Sequence, residues 1–283
     1  MDRGRITWKI RGALQLYDSF SARPANLSQL RILTEEGICV MKKEGGLLVF
    51  AESGRGTADR GGVKENGEEF IRIRLESPIF LPEEITLSSS PENLPVCLRL
   101  RPNKAYPASS RAAVLYGHCA PGAELFFVFD APKTGMGDGS EKRLLGDISP
   151  DAQVMEIYHP GRNSLEGEWI ELEYGGCRER LFLGSAEASG AKRPDTGKYR
   201  LCGQRVSKMY PRMETVLRLV YFTRADWQGE YVFYFRQVPG GSTCGRICVQ
   251  TAGNGQGIHA KRNTEQEITV VQGESIRLDL QSD

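Results

Sequence analysis

The sequence predicts an all-β protein built from two or three small β-sandwich domains, and three observations carry that expectation. Apolar residues recur in short alternating runs of about five. No stretch holds helical periodicity over even three turns. Glycine, at 32 of 283 residues, supplies abundant turns. At about 150 residues per domain the length allows two domains, or three if they are small. The stretch around which the chain is organised is residues 223–235. There a polar turn with Asp226 and Gly229 at its corners leads into Tyr231, Val232, Phe233, Tyr234 and Phe235. Tyr231, Phe233 and Phe235 point one way and Val232 and Tyr234 the other, so this strand is expected to be covered on both faces, as in the middle of a sandwich.

Taken in order, residues 6–10, 13–17 and 30–33 read as short strands bounded by polar, Gly or Pro residues. Residues 38–41 and 47–50 flank a hairpin turn in which Gly45 and Gly46 supply the positive φ of a tight loop. Residues 52–69 carry almost no apolar anchor and read as a mobile surface loop. Ile71, Ile73 and Leu75 alternate with Arg72 and Arg74, the pattern of a half-buried strand, and the first domain is expected to close at about residue 92. Residues 96–102 are read as opening a second region, which continues through 113–117, a turn at Pro121 and Gly122, and an apolar run at 125–129. Gly135, Gly137 and Gly139 mark a flexible connection. Beyond it, Trp169 to Tyr174 alternates cleanly, Gly175 and Gly176 form a two-residue turn, and the chain returns with Leu181 and Leu183 in phase. Further strands are expected at 216–222, 246–249, 268–271 and 275–280, with a glycine-rich loop at 253–257.

Charge and cysteine content narrow the function classes. With 37 Lys and Arg against 36 Asp and Glu, the net charge of +1 argues against a chain whose main task is to grip nucleic acid. No segment reaches the roughly 18 apolar residues of a membrane span, and the first residues fall short of a secretory signal, so a soluble cytoplasmic protein is expected. Seven scattered cysteines, at 39, 97, 119, 177, 202, 244 and 248, then read as reduced, buried thiols.

Catalytic constellations are hard to find. His118 and Cys119 are strand neighbours pointing to opposite faces, and His159 is distant, so no metal site is expected. Cys244 and Cys248 have neither zinc-knuckle nor redox spacing, and no serine sits in a nucleophile elbow. Gly135, Gly137 and Gly139 lack the lysine and helix of a phosphate cradle, so no cofactor is expected there. Arg99, Arg101, Lys104 and Arg111 read as a solvated strand face. Glu166, Glu168, Glu171 and Glu173 lie on one hairpin, where alternation makes a solvated face their ordinary explanation and paired-acid glycosidase chemistry the weaker one. Trp169 and Trp227 remain as candidate interaction residues, with Trp8 a third aromatic to watch.

Two places resemble transthyretin-like or carboxypeptidase-regulatory-like modules, sandwiches of the immunoglobulin/transthyretin-like kind. In the first, residues 16–24, with Asp18 in a turn before Pro24, precede the Gly45–Gly46 hairpin. In the second, Gly117, Pro121, Gly122 and Ala123 look like one half of a signature. Thr223, Asp226, Gly229, Tyr231 and Phe233 look like the other. The second resemblance implies that residues 141–213 are inserted into a discontinuous sandwich of 93–140 and 214–283, after an N-terminal sandwich of 1–92. That nested arrangement is preferred over three consecutive domains, since loop-closure entropy grows only with the logarithm of length.

The order of parts, a sandwich, then residues 98–107, then a second sandwich, also resembles accessory structural proteins of phage-tail-like contractile particles. This layout carries no catalytic residues to transfer. It implies a non-enzymatic assembly protein whose partners are other protein subunits, without cofactor or metal. The alternative is a carbohydrate-binding or adhesive module using Trp169 and Trp227.

Overall fold

The structure is a computed structural model that describes residues 8–53, 63–65, 68–88, 95–130, 142–160, 164–187, 195–201, 206–250 and 263–280. Gly135, Gly137, Gly139, Cys202 and the 253–257 loop fall outside these residues. Among the described residues the regular structure is strand, with short 3-10 turns and no α-helix, so the protein is all-β. The chain divides into two compact units, residues 1–107 and 108–283.

The first unit holds β1 (Trp8–Asp18), β2 (Arg31–Thr34), β3 (Ile38–Lys42), β4 (Leu47–Ser53), β5 (Val63–Glu65), β6 (Glu68–Glu76), β7 (Glu83–Ser88) and β8 (Val96–Leu100). One sheet runs β3-β4-β1-β8; in the other, β6 pairs with β2, β5 and β7. Leu14, Leu16, Leu48 and Phe50 from the first sheet meet Ile71, Ile73, Leu75 and Leu87 from the second in one core. The β3–β4 hairpin forms as its glycines require, with φ of 70° at Gly45 and 81° at Gly46.

Two expectations for this region are corrected. Val63–Glu65, within the stretch read as a mobile loop, form a strand on β6. Val96–Leu100, read as opening a second region, instead pairs in parallel with β1. A parallel partner some eighty residues upstream leaves no local sequence signal, unlike a hairpin.

The second unit holds β9 (Ala113–His118), β10 (Glu124–Phe129), β11 (Arg143–Leu144), β12 (Val154–Tyr158), β13 (Trp169–Tyr174), β14 (Cys177–Glu187), β15 (Thr196–Leu201), β16 (Val216–Arg224), β17 (Glu230–Phe235), β18 (Ser242–Gln250), β19 (Asn263–Val271) and β20 (Ser275–Arg277). Nine strands make one sheet in the order β11-β12-β15-β14-β13-β16-β10-β18-β19, and β17-β9-β20 make a smaller one. Between the two sheets lies a core of Leu125, Phe127, Ile247, Val249 and Val270 against Leu115, Tyr231, Phe233 and Phe235. Phe127 sits 6.0 Å from Phe233 and 4.8 Å from Phe235 between ring centroids.

The strand singled out in the sequence, β17, therefore packs against β10 and pairs with β9, more than a hundred residues upstream. As expected it is covered on both faces, with Tyr231, Phe233 and Phe235 buried on one and Val232 on the other, and among the described residues it forms an edge of the smaller sheet. Strands β11 to β15 carry a second core of Leu144, Met155, Ile157, Ile170, Leu172, Leu181, Leu183 and Tyr199, joined by Tyr210 from the segment before β16. They extend the nine-stranded sheet through the β13–β16 pairing, so residues from 141–213 share a sheet with β10, β16, β18 and β19. The β13–β14 turn has φ of 58° at Gly175 and 75° at Gly176, the geometry that closes a two-residue hairpin with the correct twist.

Candidate functional site

Alternation assigns every residue of the large sheet to one of two faces. Through directly opposed pairs, Cys248, Phe126 and Phe222 share a face with Val220, Trp169 and Phe182, and with Glu171, Arg218 and Arg180 in the next row. This face lies opposite the two cores just described.

Its side chains meet across distances that a flat sheet forbids. Arg178 on β14 and Glu265 on β19 are 2.9 Å apart, although five strand spacings of about 4.8 Å, some 24 Å in all, separate those strands along the sheet. Arg246 on β18 likewise reaches Glu171 on β13, three strands away, at 3.0 Å. The sheet must curl strongly toward this face so that its arms approach one another.

One local feature lies within the bent arc, and a register shift between Leu183 and Ala186 in the β14–β15 pair lies just beyond it. Within β18, Gly245 leaves the space that the Phe127 ring fills, since a Cβ there would lie 2.3 Å from that ring.

The concave interior holds two kinds of group. The polar part is a network of Arg178, Arg180, Arg218 and Arg246 with Asp130, Glu171, Glu173 and Glu265. Arg246 bonds Asp130 at 3.0 Å, Glu265 at 2.8 Å and Glu171 at 3.0 Å. Arg180 holds the other Glu171 oxygen at 3.1 Å, and Arg218 holds Glu173 at 2.5 Å. The apolar part is Phe126, Val128 and Val220 with the half-buried Trp169 and Phe222. Trp169 packs edge-on to Phe126 at 5.1 Å and tilted against Phe182 at 5.4 Å and Phe222 at 5.6 Å. Arg180 joins the two parts, its guanidinium 5.4 Å from the centre of the Phe126 ring.

Electrostatics follow this geometry. Desolvation opposes the Arg246 charge, but its bonds to Glu265, Asp130 and Glu171 outweigh it and raise its pKa further. Burial likewise works against the Glu173 carboxylate, yet the hydrogen bond and charge of Arg218, with Arg178 and Arg246 nearby, hold its pKa below the usual range. A carboxylate whose folded pKa is depressed stabilises the fold above its unfolded value of about 4.3, and that contribution is lost as pH falls through the folded value. Urea midpoints recorded as pH is lowered through this window should fall, and should fall less steeply in Glu173→Gln. Superimposable slopes would show that Glu173 is not held in this way.

The structure corrects the reading of the glutamates: Glu171 is completely buried instead of lying on a solvated face. Alternation identifies a face but not its curvature, and the curl turns an outward face into an interior. Glu166 and Glu168 stay half-buried at the start of the hairpin. Of the two tryptophans, Trp169 belongs to this interior. Trp227 is 82% exposed, in a turn where Asp226 Oδ1 accepts from the backbone N–H groups of Gln228 and Glu230, both at 2.9 Å.

His118, Cys119 and His159 do not converge. His118 lies 3.4 Å from Asp279 and 3.7 Å from Glu230, whereas His159 is buried against the Tyr199 hydroxyl at 2.8 Å in the second core. Burial, helped by Asp226, pushes the Cys119 thiol up to about 11, away from nucleophilic use. Among the described residues no group of three or more His, Cys, Asp and Glu side chains could hold a metal.

No family model, curated protein or solved structure matches this chain.

Sequence reasoning missed Arg180, Arg246, Asp130 and Glu265 as members of the site. The hairpin register that the Gly175–Gly176 turn dictates already opposes Glu171 to Arg180 and Glu173 to Arg178, and those cross-strand pairs were the available signal.

Proposed function

We propose that this protein is a non-enzymatic structural or assembly protein, in its specific form a component of a phage-tail-like contractile injection particle acting in the cytoplasm. The observation that carries the reading is the composition of the concave interior. Each of its arginines is held by a carboxylate of the same network, so the charged groups close the sheet instead of presenting chemistry. Its partners are then other protein subunits, met through side chains outside that interior, and the sandwich units resemble the transthyretin-like and carboxypeptidase-regulatory-like modules used as add-on domains. Among the described residues no helix is long and apolar enough to cross a membrane.

Mass spectrometry of purified particles tests this directly: the chain should be present at a defined copy number, and its absence from them would sink the reading. A second reading, a carbohydrate-binding or adhesive module, is favoured by one feature, the 82% exposure of Trp227. In a glycan-retention assay on the same preparation, Trp227→Ala should then lose binding with the fold intact.

A further inference from the structure

The smaller sheet of the second unit has β9 at its centre, with β17 on one side and β20 on the other. The β20 pairing is short and parallel, joining Ser275 to Val114, Ile276 to Leu115 and Arg277 to Tyr116. Just past its end the chain is tied to β9 by side chains. The His118 N–H donates to Asp279 Oδ1 at 3.1 Å, and the same oxygen lies 3.4 Å from His118 Nδ1. On the far side of the ring, Nε2 lies 3.7 Å from Glu230 Oε1 on β17. One imidazole on the central strand therefore stands between two carboxylates, one from each neighbouring strand segment.

The number of protons on that ring decides what the arrangement can do. A charged imidazolium donates from both nitrogens, whereas a neutral ring has one N–H and one lone pair, which it must turn toward one of the two carboxylates. Carboxylates and guanidinium groups ordinarily keep their charges between about pH 6 and 8, and histidine is the side chain that ordinarily does not. The charged and titratable groups around the ring, among the described residues, are Glu230 on β17, Asp279 and Arg277 on the last segment, and Tyr116 and Cys119 along the β9 chain. Arg277 donates to Asp279 at 3.2 Å, and this bond, with a smaller part from His118, holds the Asp279 carboxyl below its usual range. Asp279 is thus an anion throughout the window. The Cys119 thiol, pushed up to about 11, stays neutral.

We propose that His118 is a proton-operated clasp on residues 275–280: when charged it ties that segment to β17 across β9, and when neutral it gives up one of the two ties. The clasp is complete at the acid end of the histidine range and is lost as pH rises through it. Opening uncovers the edge of β9 that residues 275–277 now pair. His118 and Asp279 are each half exposed and the Arg277–Asp279 pair persists, so the segment loosens by degrees instead of detaching. The clasp would operate whether or not the chain belongs to a particle.

Hydrogen–deuterium exchange on the full chain tests it, with rates corrected for the intrinsic effect of pH. Between about pH 5.5 and about pH 8, protection across 275–280 should fall roughly two- to fivefold. Residues 247–249, in the core strand β18, should keep theirs. His118→Gln should abolish the pH response of 275–280, and Glu230→Gln, which removes one of the two carboxylates, should reduce it. No response in the wild-type chain, an equal response at 247–249, or a wild-type response in His118→Gln would each overturn the proposal.

Discussion

Glu171→Ala is expected to destabilise the second unit by about 3–5 kcal/mol, the cost of leaving a buried ion without its partner. Glu171 is completely buried and is gripped from both sides, by Arg246 at 3.0 Å and Arg180 at 3.1 Å, so the substitution takes the Glu171 carboxylate from the mostly buried Arg180 and one of three carboxylates from Arg246, which keeps Asp130 and Glu265. Glu173→Ala, nearer the margin of the same network with 26% of its side chain exposed, should cost less. Replacing Glu171, Arg180 and Arg246 together by apolar residues of similar volume should recover much of the loss, because the two carboxylates that then lose Arg246, Asp130 and Glu265, are each 39% exposed in their side chains and can be solvated. Urea denaturation, with amide exchange followed at 170–172 and 247–249, separates these outcomes. If Glu171→Ala cost no more than Glu173→Ala, Glu171 would not be the keystone of the network.

Gly117→Ala is expected to unseat the C-terminal strand. A Cβ at Gly117 would lie 1.8 Å from the carbonyl oxygen of Leu278, an overlap that only movement of one backbone away from the other can relieve. The segment at stake is held by the Leu278 and Leu280 N–H groups donating to Tyr116 and His118 at 2.8 and 2.7 Å, and by the Tyr231 hydroxyl donating to the Leu278 carbonyl at 2.6 Å. Leu280 is buried in the core, and Ile276 and Leu278 pack against it. Overpacking of this kind typically costs about 1–3 kcal/mol. Here it should also appear as faster deuterium uptake across 275–280. Wild-type protection of that segment in the variant would show that the close approach is not needed.

What was legible in the sequence was local. The glycine pairs at 45–46 and 175–176 announce hairpins because positive φ is a property of the turn itself, and the hairpin then sets which side chains oppose one another. The apolar run at 125–129 has both of its faces covered in the structure: Leu125 and Phe127 enter one core, and Phe126 and Val128 the other side of the sheet. Non-local arrangements were not legible. The parallel pairing of β8 with β1, and the edge position of β17, depend on partners far away in the chain. Burial of Glu171 depends on curvature accumulated over many strands, which no single strand encodes.

The central claim, that the nine-stranded sheet curls until β14 and β19 face each other across the ion network, can be tested by one distance. In a Cys177→Ser background, Arg178→Cys and Glu265→Cys provide a thiol pair for a short bifunctional cross-linker, with Glu173→Cys and Arg178→Cys as a control pair on adjacent strands. The curled sheet predicts an intramolecular 178–265 link, identified by peptide mapping, at a yield near that of the control. A flat sheet would hold the two positions about 24 Å apart. Efficient linking of the control without any 178–265 product would contradict the account.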